Sequence, residues 1–283
     1  MPIENRMLFA INYSYQAAAL LSEKRIKVDR FKCPDWPDMI SEASFYCQVA
    51  VHTNLKAGRG KLTNKDWEMI SHLLEKTQTP FVNLHLETRS TDFPGIPVDT
   101  IDPIHTEQIT EQILKDLEIA IGRFGRERVI AENVPYRSTY GEVLRPVSDP
   151  SVIHQIIIET GVGLLLDISH ARISAHYMSM NEHEYISGLP VKLLKELHFT
   201  GVQDQSGRLQ DHLGAQEADW EVLNWVIQNI REGKWSMPWL LAFEYGGVGE
   251  KFLNRSDPKI IEEQSNCLYD KVQRLNFSRS LND

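Results

Sequence analysis

Cysteine is scarce in this sequence. The 283 residues include three cysteines, Cys33, Cys47 and Cys267, and no two of them form a Cys-x-x-Cys pair. An odd number of widely spaced cysteines argues against a disulfide framework, which is the usual device of small secreted proteins. We therefore expect the protein to work in a reducing, cytoplasmic compartment.

Long apolar runs and an excess of positive charge are also missing. No segment approaches the ~18 consecutive apolar residues that a membrane helix needs, and the N-terminal segment lacks the basic region of a signal peptide. Lys and Arg number 30 against 39 Asp and Glu, a formal net charge of −9. The absence of a long apolar run gives the expectation of no membrane partner. Because phosphate contacts depend on clustered Lys and Arg, we do not favour a nucleic-acid partner. One basic segment, 56–61 (KAGRGK), argues the other way, and we interpret it as a solvated turn.

The apolar content is nevertheless sufficient for a core, because 42% of the residues are hydrophobic. Eight short apolar runs alternate with helix-like stretches, and we predict strands at 7–13, 26–31, 46–52, 80–86, 128–134, 162–169, 194–201 and 239–245. Continuous apolar runs are typical of parallel strands that are buried on both faces. Eight strands alternating with helices predict the α/β fold of a (β/α)₈ TIM barrel, as a single domain over 1–283. An open doubly wound sheet is the alternative, although no G-x-G-x-x-G motif follows an early strand.

Helical periodicity separates these runs. Apolar residues recur at helical spacing over 63–78, 105–124, 149–160, 217–231 and about 257–275, and Thr63 is the predicted N-cap of the first helix. Two long loops, 88–103 and 135–148, follow the fourth and fifth strands. Because long βα loops form the active-site rim of a TIM barrel, we expect these loops to shape the substrate site.

Carboxylate and imidazole side chains recur at six consecutive strand ends. They are His52, His85, Glu132, Asp167 with His170, His198 with Asp211 and His212 in the next loop, and Glu244. In a barrel these ends converge on one mouth, where so many ionisable groups are costly unless something compensates them. A divalent metal is the simplest compensator, and His and carboxylate ligands without a thiolate suit Mn, Zn, Fe, Co or Mg. We predict a site for one to three such ions, while each residue alone could be a structural hydrogen-bonding or helix-capping group.

At these residues the chain resembles the xylose-isomerase-like TIM-barrel superfamily, over about 45–250. The order of ligand types is similar to that of the endonuclease IV family: a His at each of two early strand ends, a Glu, D-x-x-H, a later His, an Asp/His pair and a final Glu. The sugar isomerases and epimerases of the superfamily use a smaller set for one metal. That set falls on Glu132, Asp167, His198 and Glu244.

A third group in the superfamily is also similar. The multinuclear-iron barrels that modify cysteine-containing peptides resemble this chain through AEN, LLLDISH and ELHFTG. In the nuclease and multinuclear-iron families one residue separates the Asp and the His of the pair, whereas Asp211 and His212 are adjacent here. Which of these two binds metal therefore stays open.

Three functions follow from the resemblance. The first is a metal-dependent isomerase or epimerase acting on a small, sugar-like molecule through a metal-stabilised enediolate, with Glu132 and Glu244 as acid and base. His170 would contact the substrate, as would Tyr136 and Arg137 in the loop 135–148. The second is a multinuclear enzyme, either a phosphodiester hydrolase or an iron-dependent oxidase of a peptide or small molecule. The third is a metal-binding barrel without turnover. The sequence does not indicate the oligomeric state.

Overall fold

The strands form where the sequence is apolar and rich in branched or aromatic residues. The computed structural model describes residues 6–63 and 65–280, and the strands of that part of the chain are β1 (Leu8–Asn12), β2 (Arg30–Pro34), β3 (Val49–His52), β4 (Leu55–Ala57), β5 (Val82–Leu86), β6 (Val129–Glu132), β7 (Gly163–Asp167), β8 (Leu194–Phe199), β9 (Gly201–Gln205), β10 (Arg208–Leu213) and β11 (Leu240–Phe243). Each of the eight predicted strands overlaps one of these. Strands β4, β9 and β10 are additional.

The helices alternate with the strands over most of the chain. They are α1 (Tyr15–Ser22), α2 (Pro37–Ala43), α3 (Trp67–Thr77), α4 (Pro103–Phe124), α5 (Pro150–Thr160), α6 (Ile168–Tyr177), α7 (Glu182–Gly188), α8 (Glu217–Arg231) and α9 (Pro258–Ser280). Several begin at a side chain that accepts a bond from a free backbone N–H of the first turn, such as Asp102 at α4 and Asp149 at α5. Proline follows both aspartates, at the first helical position, where its missing N–H is not needed.

Contacts within the chain divide it into two compact units. Unit 1 comprises Met1–His52, His72–Pro80 and Lys195–Asp283, and unit 2 comprises Thr53–Ser71 and Phe81–Leu194. The prediction of a single domain is not tested by this division and stays a prediction.

Unit 1 contains five parallel strands in the order β3-β2-β1-β11-β8. Their side chains build an apolar core with helices α8 and α9. Buried members of this core include Phe9, Phe31, Leu197, Phe243, Val222 and Leu268. The antiparallel hairpin β9–β10 also belongs to this unit. The parallel pairing places the carboxyl ends of the five strands at one edge of their sheet.

Unit 2 contains four parallel strands in the order β7-β6-β5-β4. Helices α4 and α5 bury their apolar faces in the same unit, and the core includes Leu84, Ile130, Leu164, Ile113 and Ile153. In the register of β5 and β6, His85 lies opposite Glu132. Two predicted ligands therefore meet because of strand pairing.

Three sequence predictions need correction. The strand predicted at 26–31 lies at Arg30–Pro34, because Arg30 and Lys32 are buried inside it and their charge hides the strand from a hydropathy pattern. Helix α3 starts at Trp67, and Asp66 rather than Thr63 accepts a bond from Met69 N at 2.9 Å.

The third correction concerns Asp211 and His212, which lie in strand β10 and not in a loop.

Among the described helices, none combines the length and the hydropathy that crossing a bilayer requires.

Candidate metal centre

The predicted ligands lie where parallel strands end. His52, Glu132 and Asp167 are the last residues of β3, β6 and β7, His85 and His198 are the next to last of β5 and β8, Glu244 directly follows β11, and His170 lies in the first turn of α6. Strand ends are the usual location of functional side chains in parallel α/β proteins, since the backbone there leaves the sheet.

The pair of His85 and Glu132 is the core of the cluster in unit 2. Nδ1 of His85 lies 3.1 Å from the carbonyl oxygen of Leu55, so this nitrogen carries the proton and donates it. Nε2 of the neutral ring then has a lone pair, and it faces Oε2 of Glu132 at 3.3 Å. Two lone-pair atoms at this distance need a cation or a proton between them. Nδ2 of Asn83 donates to the same Glu132 oxygen at 3.4 Å and orients the carboxylate.

Asp167 and His170 complete the cluster of unit 2. Asp167 caps helix α6, because its Oδ1 accepts a bond from His170 N at 2.8 Å, while its Oδ2 lies 3.5 Å from Nδ1 of His170. Asn133 holds both residues: it exchanges two hydrogen bonds with the backbone of Asp167, and its carbonyl lies 2.9 Å from Nδ1 of His170. Glu132, Asp167 and His170 each offer a ligand atom within 4.8 Å of the others, and all three are buried.

In unit 1 the cluster centres on His198, whose side chain is fully buried. Its Nε2 lies 2.9 Å from Oε1 of Glu196, and its Nδ1 lies 3.1 Å from Oε1 of Glu244. The ring of His52 is 5.1 Å from the ring of His198, centroid to centroid. Ligand atoms of His52, Glu196 and His198 lie within 4.8 Å of one another.

Lys32 pairs with Glu244 in the same cluster. The ammonium of Lys32 donates to Oε1 of Glu244, and both side chains are buried. Burial alone would raise the pKa of Glu244, but Lys32, His198 and His212 outweigh it, so the pKa lies well below the ordinary value. Glu244 is therefore a carboxylate at neutral pH.

The hairpin carries the adjacent pair of Asp211 and His212. The register of β9 and β10 shifts between Gln210 and Leu213, and His212 has a φ of 57°, in the left-handed region. Adjacent residues of a regular strand point to opposite faces, and a β-bulge breaks this alternation. Nδ1 of His212 lies 3.0 Å from the carbonyl oxygen of Glu244, which brings this side chain to the cluster of unit 1.

The predicted substrate-binding residues Tyr136 and Arg137 lie in unit 2. Tyr136 is buried, and its backbone N–H bonds to Ser174. Arg137 is half-buried just before a short 3₁₀ turn at Ser138–Tyr140. Their part in substrate binding stays a prediction.

The basic segment 56–61 is charge-paired within unit 2. Lys56 lies 2.9 Å from Glu87, and Asp92 lies 2.8 Å from Arg59 and 3.5 Å from Lys61. These carboxylates have a lowered pKa despite burial, because the cations outweigh it. The segment thus supplies little unpaired positive charge for a phosphate backbone.

Sequence reasoning missed Lys32, Glu196, Asn83 and Asn133. Lys and Glu inside a strand are normally solvent-exposed, so a sequence pattern gives no reason to place Lys32 or Glu196 in a site. A partial signal existed for Glu196, because it precedes His198 by two residues and so shares its face of β8.

The sequence matches the family described as RiPP precursor modification enzyme MbnB/TglH/ChrH over residues 37–241, more than half of the chain. The chain belongs to this family. It is also similar to a UPF0276 protein of Rhizorhabdus wittichii, with 26% identity over 156 residues that make up 54% of each chain. The match thus spans about half the length of that relative.

Solved structures show the fold. A 3-keto-D-glucoside 4-epimerase, YcjR, from E. coli has a TM-score of 0.57 at 13% identity and covers 94% of this chain and 99% of its own. An AP endonuclease of family 2 from Brucella melitensis has a TM-score of 0.51 at 14% identity, covering 86% and 94%. The α/β TIM-barrel fold and the resemblance to the xylose-isomerase-like superfamily are therefore confirmed. The family and these neighbours are enzymes, but they do not fix the reaction.

Proposed function

We propose that this protein is a metal-dependent enzyme that modifies a precursor peptide. The proposal rests on the family match over residues 37–241, which names precursor modification. It is supported by the buried imidazole–carboxylate pairs at strand ends in each unit, His85 with Glu132 and His198 with Glu244. The sequence alone favoured a sugar isomerase over an enzyme that modifies peptides, and the family match favours the peptide-modifying enzyme instead.

The donor atoms present in each unit fit a divalent metal. In unit 2 the ligands would be His85, Glu132, Asp167 and His170; in unit 1 they would be His198, Glu244, His52 and one or both of Asp211 and His212. Imidazole and carboxylate ligands suit iron, manganese or zinc, and such an ion supplies Lewis acidity or, for iron, redox chemistry.

The surrounding residues hold these ligands in place. Asn83 orients the Glu132 carboxylate, and Asn133 fixes the His170 ring through its carbonyl oxygen. Lys32 keeps Glu244 ionised in a buried position. The low exposure of Glu132, Asp167 and His198 excludes bulk water from their carboxylate and imidazole groups.

A sugar isomerase or epimerase is the second candidate. Glu132 and Glu244 would act as acid and base, and His170, Tyr136 and Arg137 would contact the sugar. The 3-keto-D-glucoside 4-epimerase from E. coli shares the fold, which favours this reading. The Lys32 contact weighs against it, because a carboxylate with a lowered pKa is a weak base.

The phosphodiester hydrolase has less support, because the cations of 56–61 are already paired with Glu87 and Asp92.

Elemental analysis of protein purified without chelator tests the shared premise. We expect one to three divalent ions per chain, and the absence of metal both as purified and after titration would leave a barrel without metal chemistry. The protein reconstituted with Fe(II) is then incubated in air with a pool of cysteine-containing peptides, and the peptides are analysed by mass spectrometry. A mass change that depends on the enzyme supports peptide modification, whereas turnover of a sugar in a parallel screen would favour isomerisation.

Two Glu-to-Gln variants distinguish the loss of a metal ligand from the general effect of replacing a glutamate. Glu132→Gln removes the carboxylate that faces His85, so it should abolish the mass change and lower the metal content. Glu142→Gln makes the same change at an exposed ion pair with Arg89 of the same unit and should keep both. Full activity of Glu132→Gln would refute the assignment of Glu132.

A further inference from the structure

The candidate histidines differ in which ring nitrogen is bonded to the protein. Three of them place Nδ1 within hydrogen-bond distance of a backbone carbonyl: His85 at 3.1 Å from Leu55, His170 at 2.9 Å from Asn133 and His212 at 3.0 Å from Glu244. A carbonyl oxygen only accepts hydrogen bonds, so Nδ1 carries the proton in each ring. Nε2 is therefore the nitrogen with which these three rings can bind a metal ion.

His198 has the opposite arrangement. Its Nε2 lies 2.9 Å from Oε1 of Glu196, and its Nδ1 lies 3.1 Å from Oε1 of Glu244. An imidazole that binds a metal ion has one N–H left, so one nitrogen keeps the proton toward its carboxylate and the other turns its lone pair to the ion. A metal ion between that second nitrogen and its carboxylate would be bound by both.

The structure indicates which nitrogen keeps the proton. Glu196 is held from its other side, because Nε1 of Trp239 donates to its Oε2 at 2.9 Å, and both residues are buried. Both oxygens of Glu196 are thus used, one by the indole N–H and one by Nε2 of His198. Nδ1 of His198 is directed at Glu244, which is itself a predicted metal ligand.

We propose that Glu196 and Trp239 are positioning residues for metal binding. Glu196 accepts the Nε2–H bond of His198 and holds the ring in the tautomer whose Nδ1 binds the metal ion beside Glu244, and Trp239 holds Glu196. This inference rests on the proposed function, since it needs a metal ion at His198. Metal-bound histidines commonly donate their other N–H to a carboxylate, and loss of such a partner weakens metal affinity about 10–100-fold.

Metal affinity tests the positioning role. Zn(II) dissociation constants are measured by chelator competition for the wild type, Glu196→Leu, Glu196→Gln and Trp239→Phe. We expect Glu196→Leu to bind one ion about 10–100-fold more weakly, with the full number of ions restored at saturating zinc. Glu196→Gln should lose less, because its amide oxygen still accepts the Nε2–H bond. Trp239→Phe should also weaken zinc binding. If Glu196→Leu does not fold, the zinc affinities of Glu196→Gln and Trp239→Phe test the proposal.

Glu262→Gln is the matched control for these variants. Glu262 lies in the same unit and forms an exposed ion pair with Arg25, so its substitution should leave the zinc affinity unchanged. Loss of one ion per chain from Glu196→Leu even at saturating zinc would make Glu196 a ligand and overturn the proposal.

NMR of ¹⁵N-histidine-labelled, zinc-loaded protein reads the ring nitrogens directly. We expect His198, assigned with His198→Gln, to carry a proton on Nε2 and to bind zinc through Nδ1. Binding through Nε2 would overturn the proposal. If the wild type binds no metal, the proposed function fails and this inference with it. If the wild type binds zinc and the Glu196 variants bind it equally well, the inference alone fails.

Discussion

The buried pair of Lys32 and Glu244 gives the sharpest prediction about stability. The two side chains are 7% and 5% exposed, so Lys32→Met leaves a carboxylate that water cannot solvate. Breaking a buried ion pair by removing one partner costs about 3–5 kcal/mol. His198 still faces Glu244 at 3.1 Å, and Glu244 can take up a proton, so we expect a value near the lower limit, about 3 kcal/mol. The corresponding fall in melting temperature is roughly 6–12 °C.

Urea unfolding of metal-free protein at neutral pH measures this loss. Lys259→Met is the matched control, because Lys259 is 79% exposed in its pair with Glu263 and its loss should change stability by less than about 0.5 kcal/mol. The double variant Lys32→Met/Glu244→Gln removes both charges and should recover much of the lost stability. If Lys32→Met unfolds at the same urea concentration as the wild type, the buried ion pair does not exist in solution.

The same variant has a defined pH dependence. Because the pKa of Glu244 is lower in the folded chain than its ordinary value of 4.5, its contribution to stability is complete above that pH and is lost as the pH falls through the folded-state pKa. Lys32→Met removes a cation that lowers this pKa, so the contribution shrinks. The stability difference between wild type and variant should therefore narrow below about pH 4.5. If the stability difference between wild type and Lys32→Met grew as the pH fell, Lys32 would not lower the pKa of Glu244.

Three further predictions concern other parts of the chain. Burial raises the pKa of the Cys33 thiol to about 12, so a thiol reagent at pH 8 should label the exposed Cys267 first and Cys33 only on unfolding, as peptide mapping would show. Asp149→Ala removes the N-cap of helix α5 and should cost about 0.5–2 kcal/mol in urea unfolding, whereas Asp149→Asn should cost less. Gly58 has a φ of 109°, and a Cβ there would lie 2.3 Å from Oγ1 of Thr88. Gly58→Ala should therefore destabilise the protein by roughly 1–3 kcal/mol, and an unchanged melting temperature would refute this backbone argument.

Much of the fold could be predicted from the sequence, because hydrophobic periodicity is a local property. The helix predicted at 217–231 has those bounds in the structure, and the helix predicted at 149–160 starts one residue later. The strand at Arg30–Pro34 was predicted too early, at 26–31. Its buried Arg30 bonds to the carbonyls of Val49 and Thr77, which are distant in sequence, so a local hydropathy pattern does not show that Arg30 belongs to a buried strand. The hairpin β9–β10 was missed because its sequence is polar and most of its residues are not fully buried.

The sequence by itself determined which imidazole and carboxylate groups lie at successive strand ends and in what order, because hydrophobic periodicity places the strands along the chain. Only the tertiary structure decided how these groups are held. The contacts of Lys32 with Glu244 and of Trp239 with Glu196 join residues 212 and 43 positions apart. No local pattern encodes such contacts, because strand pairing and side-chain packing bring the partners together. The ring orientation of each histidine is also set by the folded structure. It depends on a carbonyl oxygen or carboxylate that hydrogen-bonds to one ring nitrogen, and the fold brings that group to the ring.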